Sequence, residues 1–224
     1  MTPLQHTKEV INSIRQKTDR VVLFYSGGKD SIALLDLLAK EFKEVVCVFM
    51  FFVKDLDHIN KYITFSEKTY SNAWFIQAPH WNLTYIHRSG LYCKPNPNIK
   101  LKKLSDVNEA IRLTTGIEYS FYGMKQADNM NRRIMLRGYE NEAISEKTRN
   151  VYPLSKWYDK DVLKYIKKNR LPMPIQYGKK QSNGVGFDID VFLYLKKNYP
   201  QDLEKILKAY PLSEKLLFEH EQRA

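Results

Sequence analysis

Cysteine is nearly absent from this chain: Cys47 and Cys93 are the only two in 224 residues. Two thiols make no disulfide framework, so the chain reads as cytoplasmic. They also exclude a four-cysteine metal site within the sequence. His80, His87 and Cys93 are too loosely spaced for a strong zinc set. Long apolar runs are missing too. The longest, Val45 to Val53, falls well short of the ~20 residues that span a bilayer and suits a strand buried on both faces. No membrane partner is expected. The first residues, Met1-Thr2-Pro3-Leu4-Gln5-His6, carry no signal-peptide pattern. There is no repeat and no low-complexity tract, and nothing in the sequence sets an oligomeric state. The length suits one α/β domain with a small appendage.

Acidic residues are the other shortage. Asp and Glu number 25 against 36 Lys and Arg, a net charge of +11. The excess is uneven: from Lys147 to Lys180, ten Lys/Arg face only Asp159 and Asp161. Such a stretch is either a surface for a polyanion, a nucleic acid or an acidic acceptor, or a solvated helix face. The second reading has support, because Lys160, Lys164, Lys167 and Lys168 fall at helical spacing around Val162, Leu163, Tyr165 and Ile166.

The most informative stretch is Ser26-Gly27-Gly28-Lys29-Asp30-Ser31. It follows the apolar run Val21 to Tyr25 and precedes the apolar-periodic run Ile32 to Leu38. That order reads as buried strand, glycine turn, helix. Two glycines allow positive φ and close approach to a ligand. The helix then begins with free N–H groups and its positive dipole end facing the turn, a site for an anion. Ser26 and Ser31 add hydroxyls and Lys29 a point charge. The loop is built to hold phosphate, and it is not a Walker A sequence.

Along the chain, strands and helices alternate. Strands are expected at 20–25, 44–53, 72–77, 118–123 and 150–152. Helices are expected at 7–17, 29–42, 56–70, 82–89, from Ser105 as N-cap, at 127–136 and at 159–169. A Gly/Lys/Asn-rich loop is expected at 176–187, with helices over 188–223 broken near Pro200 and Pro211. This alternation predicts a doubly wound parallel sheet with a helical C-terminal extension. The units are 1–175 for the α/β part that carries the phosphate loop and 176–224 for the loop and extension. Ligands of such sheets sit at the carboxyl ends of the strands, where both the glycine loop and Gly123 fall.

The loop resembles the pyrophosphatase loop of the PP-loop superfamily, the adenine nucleotide alpha hydrolases, whose pattern is Ser-Gly-Gly-x-Asp-Ser. The order of Gly123 to Arg133, then Tyr152-Pro153-Leu154-Ser155-Lys156-Trp157 leading to Asp161-Val162, then Leu171-Pro172, is similar to the phosphoadenylyl-sulfate (PAPS) reductase branch. The resemblance covers about residues 20–175 and is weakest at 123–133, where Lys125 stands in place of a common arginine. It implies a Rossmann-like fold and an adenine nucleotide, ATP or PAPS, held by Ser26, Gly27, Gly28, Lys29, Asp30, Ser31, Phe52, Gly123, Lys125, Arg132 and Arg133. Adenine would be read by backbone near Phe51 to Val53. Lys29, Asp30 and Arg132 are the expected catalytic residues. Asp30 either helps hold Mg²⁺ on the phosphates or caps the helix. Arg132 or Arg133 would make bidentate phosphate contacts, or the pair faces solvent.

The departures narrow the function. The reductases carry a cysteine in a C-terminal Glu-Cys-Gly-Leu-His-like tail, where this chain reads Ser213-Glu214-Lys215-Leu216-Leu217-Phe218-Glu219-His220. The additional cysteines of an iron–sulfur cluster are missing as well, and no such cluster is expected. The first expectation is therefore an enzyme that cleaves ATP between the α and β phosphates and transfers the adenylyl group. The alternatives are a PAPS or adenylyl-sulfate reductase that uses Cys93, and a non-catalytic nucleotide- or DNA-binding regulator.

Overall fold

The computed structural model describes residues 1–177, 180–181 and 187–222. The first helix, α1 (Pro3–Arg15), is closed by a capping box in which Thr2 and Gln5 exchange hydrogen bonds. It leads into β1 (Arg20–Phe24), α2 (Lys29–Ala39), β2 (Glu44–Phe51), α3 (Asp57–Thr69) and β3 (Ala73–Pro79). Two short-range helices follow, α4 (Leu83–Ser89) and α5 (Leu104–Thr115), and then β4 (Ser120–Phe121), α6 (Met130–Arg137), β5 (Ile144–Ser145), β6 (Asn150–Val151) and α7 (Asp159–Lys168). The chain ends in a hairpin, β7 (Gln176–Tyr177) and β8 (Lys180–Gln181), and the helices α8 (Ile189–Asn198), α9 (Pro200–Ala209) and α10 (Lys215–Glu221).

The main sheet has the order β3-β2-β1-β4-β6-β5, parallel except for the antiparallel β5–β6 pair. β1 alternates its side chains between two cores, as the pleat requires. Val21 and Leu23 join α1, α2 and α7 residues on one face, and Val22 and Phe24 join Val107, Ile111 and Leu136 on the other. Helices therefore cover both faces, the doubly wound α/β arrangement that the alternation predicts. The C-terminal helices pack through Val191, Phe192, Leu195, Leu203 and Ile206 onto Phe49, Leu56, Ile59 and Ile63. No helix among the described residues is long and apolar enough to cross a membrane.

Several local expectations change, among them these. β4 pairs only at Ser120 and Phe121, not over 118–123. The helix after the 79–104 segment starts at Leu104, with Lys103 in the N-cap place and its N–H donating to Asp106 Oδ2 at 2.8 Å, so Ser105 is inside it. The segment expected as a loop contains the β7–β8 hairpin. Gly178, Lys179 and residues 182–186 of that expected loop lie outside the described residues.

Strand order reverses at β1. The chain runs outward through β2 and β3, then returns to place β4 on the other side of β1. A crevice opens where two neighbouring strands send their connections to opposite faces. The loop after β1 and Gly123 after β4 lie at that point.

Helix α1 also ties the approach to α7. Thr7 Oγ1 donates to Pro153 O at 2.8 Å, and Trp157 Nε1 donates to Thr7 Oγ1 at 2.7 Å.

Candidate nucleotide-binding site

Gly27 takes φ = 73°, in the left-handed region, while Gly28 is extended at φ −78°, ψ 163° and occupies the N-cap place of α2. The turn therefore relies on Gly27 for its backbone freedom. No side chain caps α2. Ser31 Oγ donates to Gly28 O at 2.9 Å, Ser26 N donates to Ser31 Oγ at 3.2 Å, and Gly28 N donates to Ser26 Oγ at 3.3 Å. The two serines thus hold the turn from within. A Cβ on Gly123 would stand 3.0 Å from Asp30 Cβ. Glycine there lets the end of β4 close on the start of α2.

Charged groups of α2, of the 125–128 turn and of α7 meet beside this turn. Lys125 is 1% exposed, and its Nζ lies 2.7 Å from Asp30 Oδ1, 3.0 Å from Asp128 Oδ1 and 3.4 Å from Asp159 Oδ1. Lys29 Nζ lies 3.2 Å from Asp30 Oδ2 and 3.3 Å from Asp159 Oδ1. Arg132 donates to Asp128 Oδ2 at 2.5 Å. Burial would lower the Lys125 ammonium, but Asp30 and Asp128 outweigh it and hold it above the ordinary lysine value. Burial works against the Asp128 carboxylate as well. The Lys125 N–H, the Lys125 ammonium and Arg132 still keep it below the usual carboxylate range.

Lys125 is drawn into this cluster of carboxylates. Its ammonium is turned inward and spends its donors on carboxylates. Asp30 does not cap α2; its two oxygens are taken by Lys125 and Lys29. Arg133 Nε approaches Gln126 O at 3.4 Å. Ser26, Gly27, Gly28, Lys29, Asp30, Ser31, Gly123, Lys125 and Arg132 are therefore gathered at the switch point, with Arg133 at its edge. Among the described residues, no group of three His, Cys, Asp or Glu comes together as a metal cage.

A cavity of about 130 Å³ adjoins the loop at Ser26 and runs under the ends of β1, β2 and β3. Met50, Phe51, Phe52 and Ile59 give it apolar walls; Asn60, Gln77 and His80 are polar groups in the lining. Phe52 lines the same cavity as Ser26. Its carbonyl accepts from Tyr210 Oη at 3.3 Å, and the Phe51 carbonyl accepts from His80 N at 2.9 Å. Phe52 also stacks on the His80 ring, with centroids 4.5 Å apart. His80 Nδ1 accepts from Asn82 N at 3.1 Å, and burial pushes its imidazole pKa down. Gln77 Nε2 donates to Asn60 Oδ1 at 3.3 Å. Asn60, Gln77 and His80 are residues the motif reading missed. One sequence signal points to Gln77: it is the lone amide in an otherwise apolar strand, Ala-Trp-Phe-Ile-Gln-Ala-Pro.

Neither thiol is open to this crevice. Cys47 is fully buried in β2, and burial pushes its pKa well above the ordinary thiol range. Cys93 packs with Leu83, Ile86 and Tyr210, its Sγ 3.5 Å from His87 Nδ1.

The phosphoadenosine phosphosulfate reductase domain matches residues 20–188, and the chain belongs to that family, a nucleotide-binding enzyme family of the PP-loop type. Among solved structures it is similar to the U34-tRNA thiolase NcsA from Methanococcus maripaludis, solved with its 4Fe–4S cluster. The two share 14% identity over 96% of this chain and 78% of that one, with a TM-score of 0.46. No curated protein matches the sequence. The cofactor expectation is corrected at this point. It excluded an iron–sulfur cluster, and this neighbour is a protein that holds one, so the exclusion is withdrawn.

Proposed function

We propose that the chain binds ATP with its phosphates on the 26–31 loop and its adenine in the adjoining cavity, and that it transfers the adenylyl group to an acceptor. An acceptor atom attacks the α-phosphorus, the bond from that phosphorus to the α,β-bridging oxygen breaks, and the electron pair leaves on pyrophosphate. Charge then grows on the leaving group. The N–H groups at the start of α2 and the Lys29 ammonium are the donors positioned to meet it. Asn60 and Gln77 offer donor and acceptor groups to a purine edge, between apolar walls. Arg132, held on Asp128, is the guanidinium at the rim.

The observation that carries this reading is the uncapped start of α2, entered through Gly27 at positive φ, at the point where strand order reverses. The buried state of both thiols supports adenylyl transfer over reduction of a sulfonate, because the thiolate is the nucleophile such chemistry needs. The basic stretch borders the loop through α7, whose first residue reaches Lys29. That placement supports an anionic acceptor, and a nucleic acid is the class best matched to it.

The test supplies ATP labelled on the γ-phosphate, with total RNA or plasmid DNA as acceptor. Labelled pyrophosphate is the expected product. Its formation should weaken as salt rises, because nucleic-acid binding releases counterions. Free phosphate as the only labelled product overturns the reading. So does sulfite release from PAPS with thioredoxin that disappears in Cys93→Ala.

A further inference from the structure

Three carboxylates surround Lys125, and they are not held alike. Asp30 and Asp128 are the closer two, at 2.7 and 3.0 Å, with side chains 24% and 19% exposed. Asp159 is the farthest, at 3.4 Å, and its side chain is 63% exposed. It enters from another element, as the first residue of α7. The same Oδ1 stands 3.3 Å from Lys29 Nζ, so one carboxylate oxygen bridges both ammonium groups. If Asp159 swings away, Lys125 keeps two carboxylates and Lys29 keeps Asp30. Of the carboxylates on this pair of lysines, Asp159 is the one whose departure disturbs least and uncovers most.

A phosphate on the 26–31 loop needs Lys29, and Lys29 already has an anion from α7. We propose that Asp159 is a built-in competitor for the phosphate site, a carboxylate that contends with the ligand's phosphate for Lys29 and so sets nucleotide affinity and the ease of pyrophosphate departure. The inference rests on the loop being the phosphate site. Asp30 cannot play this part, because Lys125 pins its other oxygen.

The test is calorimetric titration with inorganic pyrophosphate and with ATP, on the wild-type chain, Asp159→Asn, Asp159→Ala and Asp161→Asn. The last removes the same charge from the same helical turn, but Asp161 accepts from Tyr158 N–H at 2.9 Å and belongs to the cap. Both Asp159 variants should bind pyrophosphate roughly three- to tenfold more tightly, the scale of one or two partly exposed ion pairs. Asp161→Asn should change the affinity by less than about twofold, since screening blunts a charge without a direct contact. Unchanged or weaker binding by the Asp159 variants overturns the proposal. Equal tightening in Asp161→Asn does so too, because it reports only helix charge. If no protein binds either ligand, the phosphate-loop reading itself fails and takes the inference with it. Thermal melts of the four proteins establish that each is folded.

Discussion

Gly27 and Gly28 are adjacent and chemically identical, yet they serve the site differently. Gly27 has φ = 73°, while Gly28 sits in ordinary extended backbone. A Cβ at Gly27 would meet nothing within 4 Å. Its substitution therefore acts through the backbone alone, at a cost of about 1–3 kcal/mol if the loop keeps its shape. A β-branched residue escapes that cost by rearranging the loop, which misdirects the N–H groups of α2. Gly27→Val should stay folded but lose the rise in melting temperature that millimolar ATP gives the wild type. A variant that still binds ATP would remove the loop from the site. Sequence reasoning assigns positive φ to the glycine pair; only the structure tells the two apart.

Helix α6 shows how an element places site residues. Asn129 is its N-cap, its side-chain oxygen accepting from Arg132 N at 2.8 Å. Asp128, just before the cap, accepts from Lys125 N at 2.9 Å and from Arg132. One turn therefore fixes Lys125, Asp128 and the start of a helix whose first turns carry Arg132 and Arg133. Asn129→Ala should cost about 1 kcal/mol in chemical denaturation, the ordinary worth of an N-cap, and should lower adenylyl transfer more than it lowers ATP affinity. Equal effects on both would place α6 outside the reacting part of the site. Elements of this kind also divide what the sequence makes legible from what it hides. β1, the loop and α2 can be read because a dense apolar run, two glycines and a helical period follow one another directly. β5 cannot, since two residues paired antiparallel to β6 leave no period to detect. The β7–β8 hairpin is hidden for a similar reason, inside a Gly/Lys composition that reads as loop. The motif residues at the phosphate end are legible because they are contiguous. Asn60, Gln77 and His80 come from α3, β3 and the turn after β3, so only the folded sheet brings them together. The inward turn of Lys125 depends first on Asp30, 95 residues earlier in the chain, which no spacing rule links to it.

At the scale of the whole molecule, a buried polar chain joins α3 to β7 and α9. His58 on α3 has Nδ1 2.6 Å from Asp202 Oδ2 on α9 and Nε2 2.9 Å from the Tyr177 hydroxyl on β7. Asp202 also accepts from the backbone N–H of Asp57 and His58. Burial is the strongest influence on His58 and keeps its pKa below the ordinary value, although Asp202 pulls the other way. A histidine with a depressed folded pKa binds its proton more readily when unfolded. Its contribution is therefore complete above the unfolded value of about 6.5 and is lost as pH falls below it. His80, lowered by burial, adds in the same direction. The melting temperature of the wild type should fall between pH 7.5 and 5.5. His58→Gln should melt lower at pH 7.5 yet show a flatter profile, and an unchanged slope would exclude His58 as a source.

The first helix lies on the same core as α2 and α7; its Thr7 grips Pro153 and Trp157, and Asp159 follows two residues later. That grip makes α1 a doorstop for the α7 end of the crevice. A tag, antibody fragment or crosslink that tugs on the first helix would act as a remote throttle on the α7 end of the crevice without occupying it.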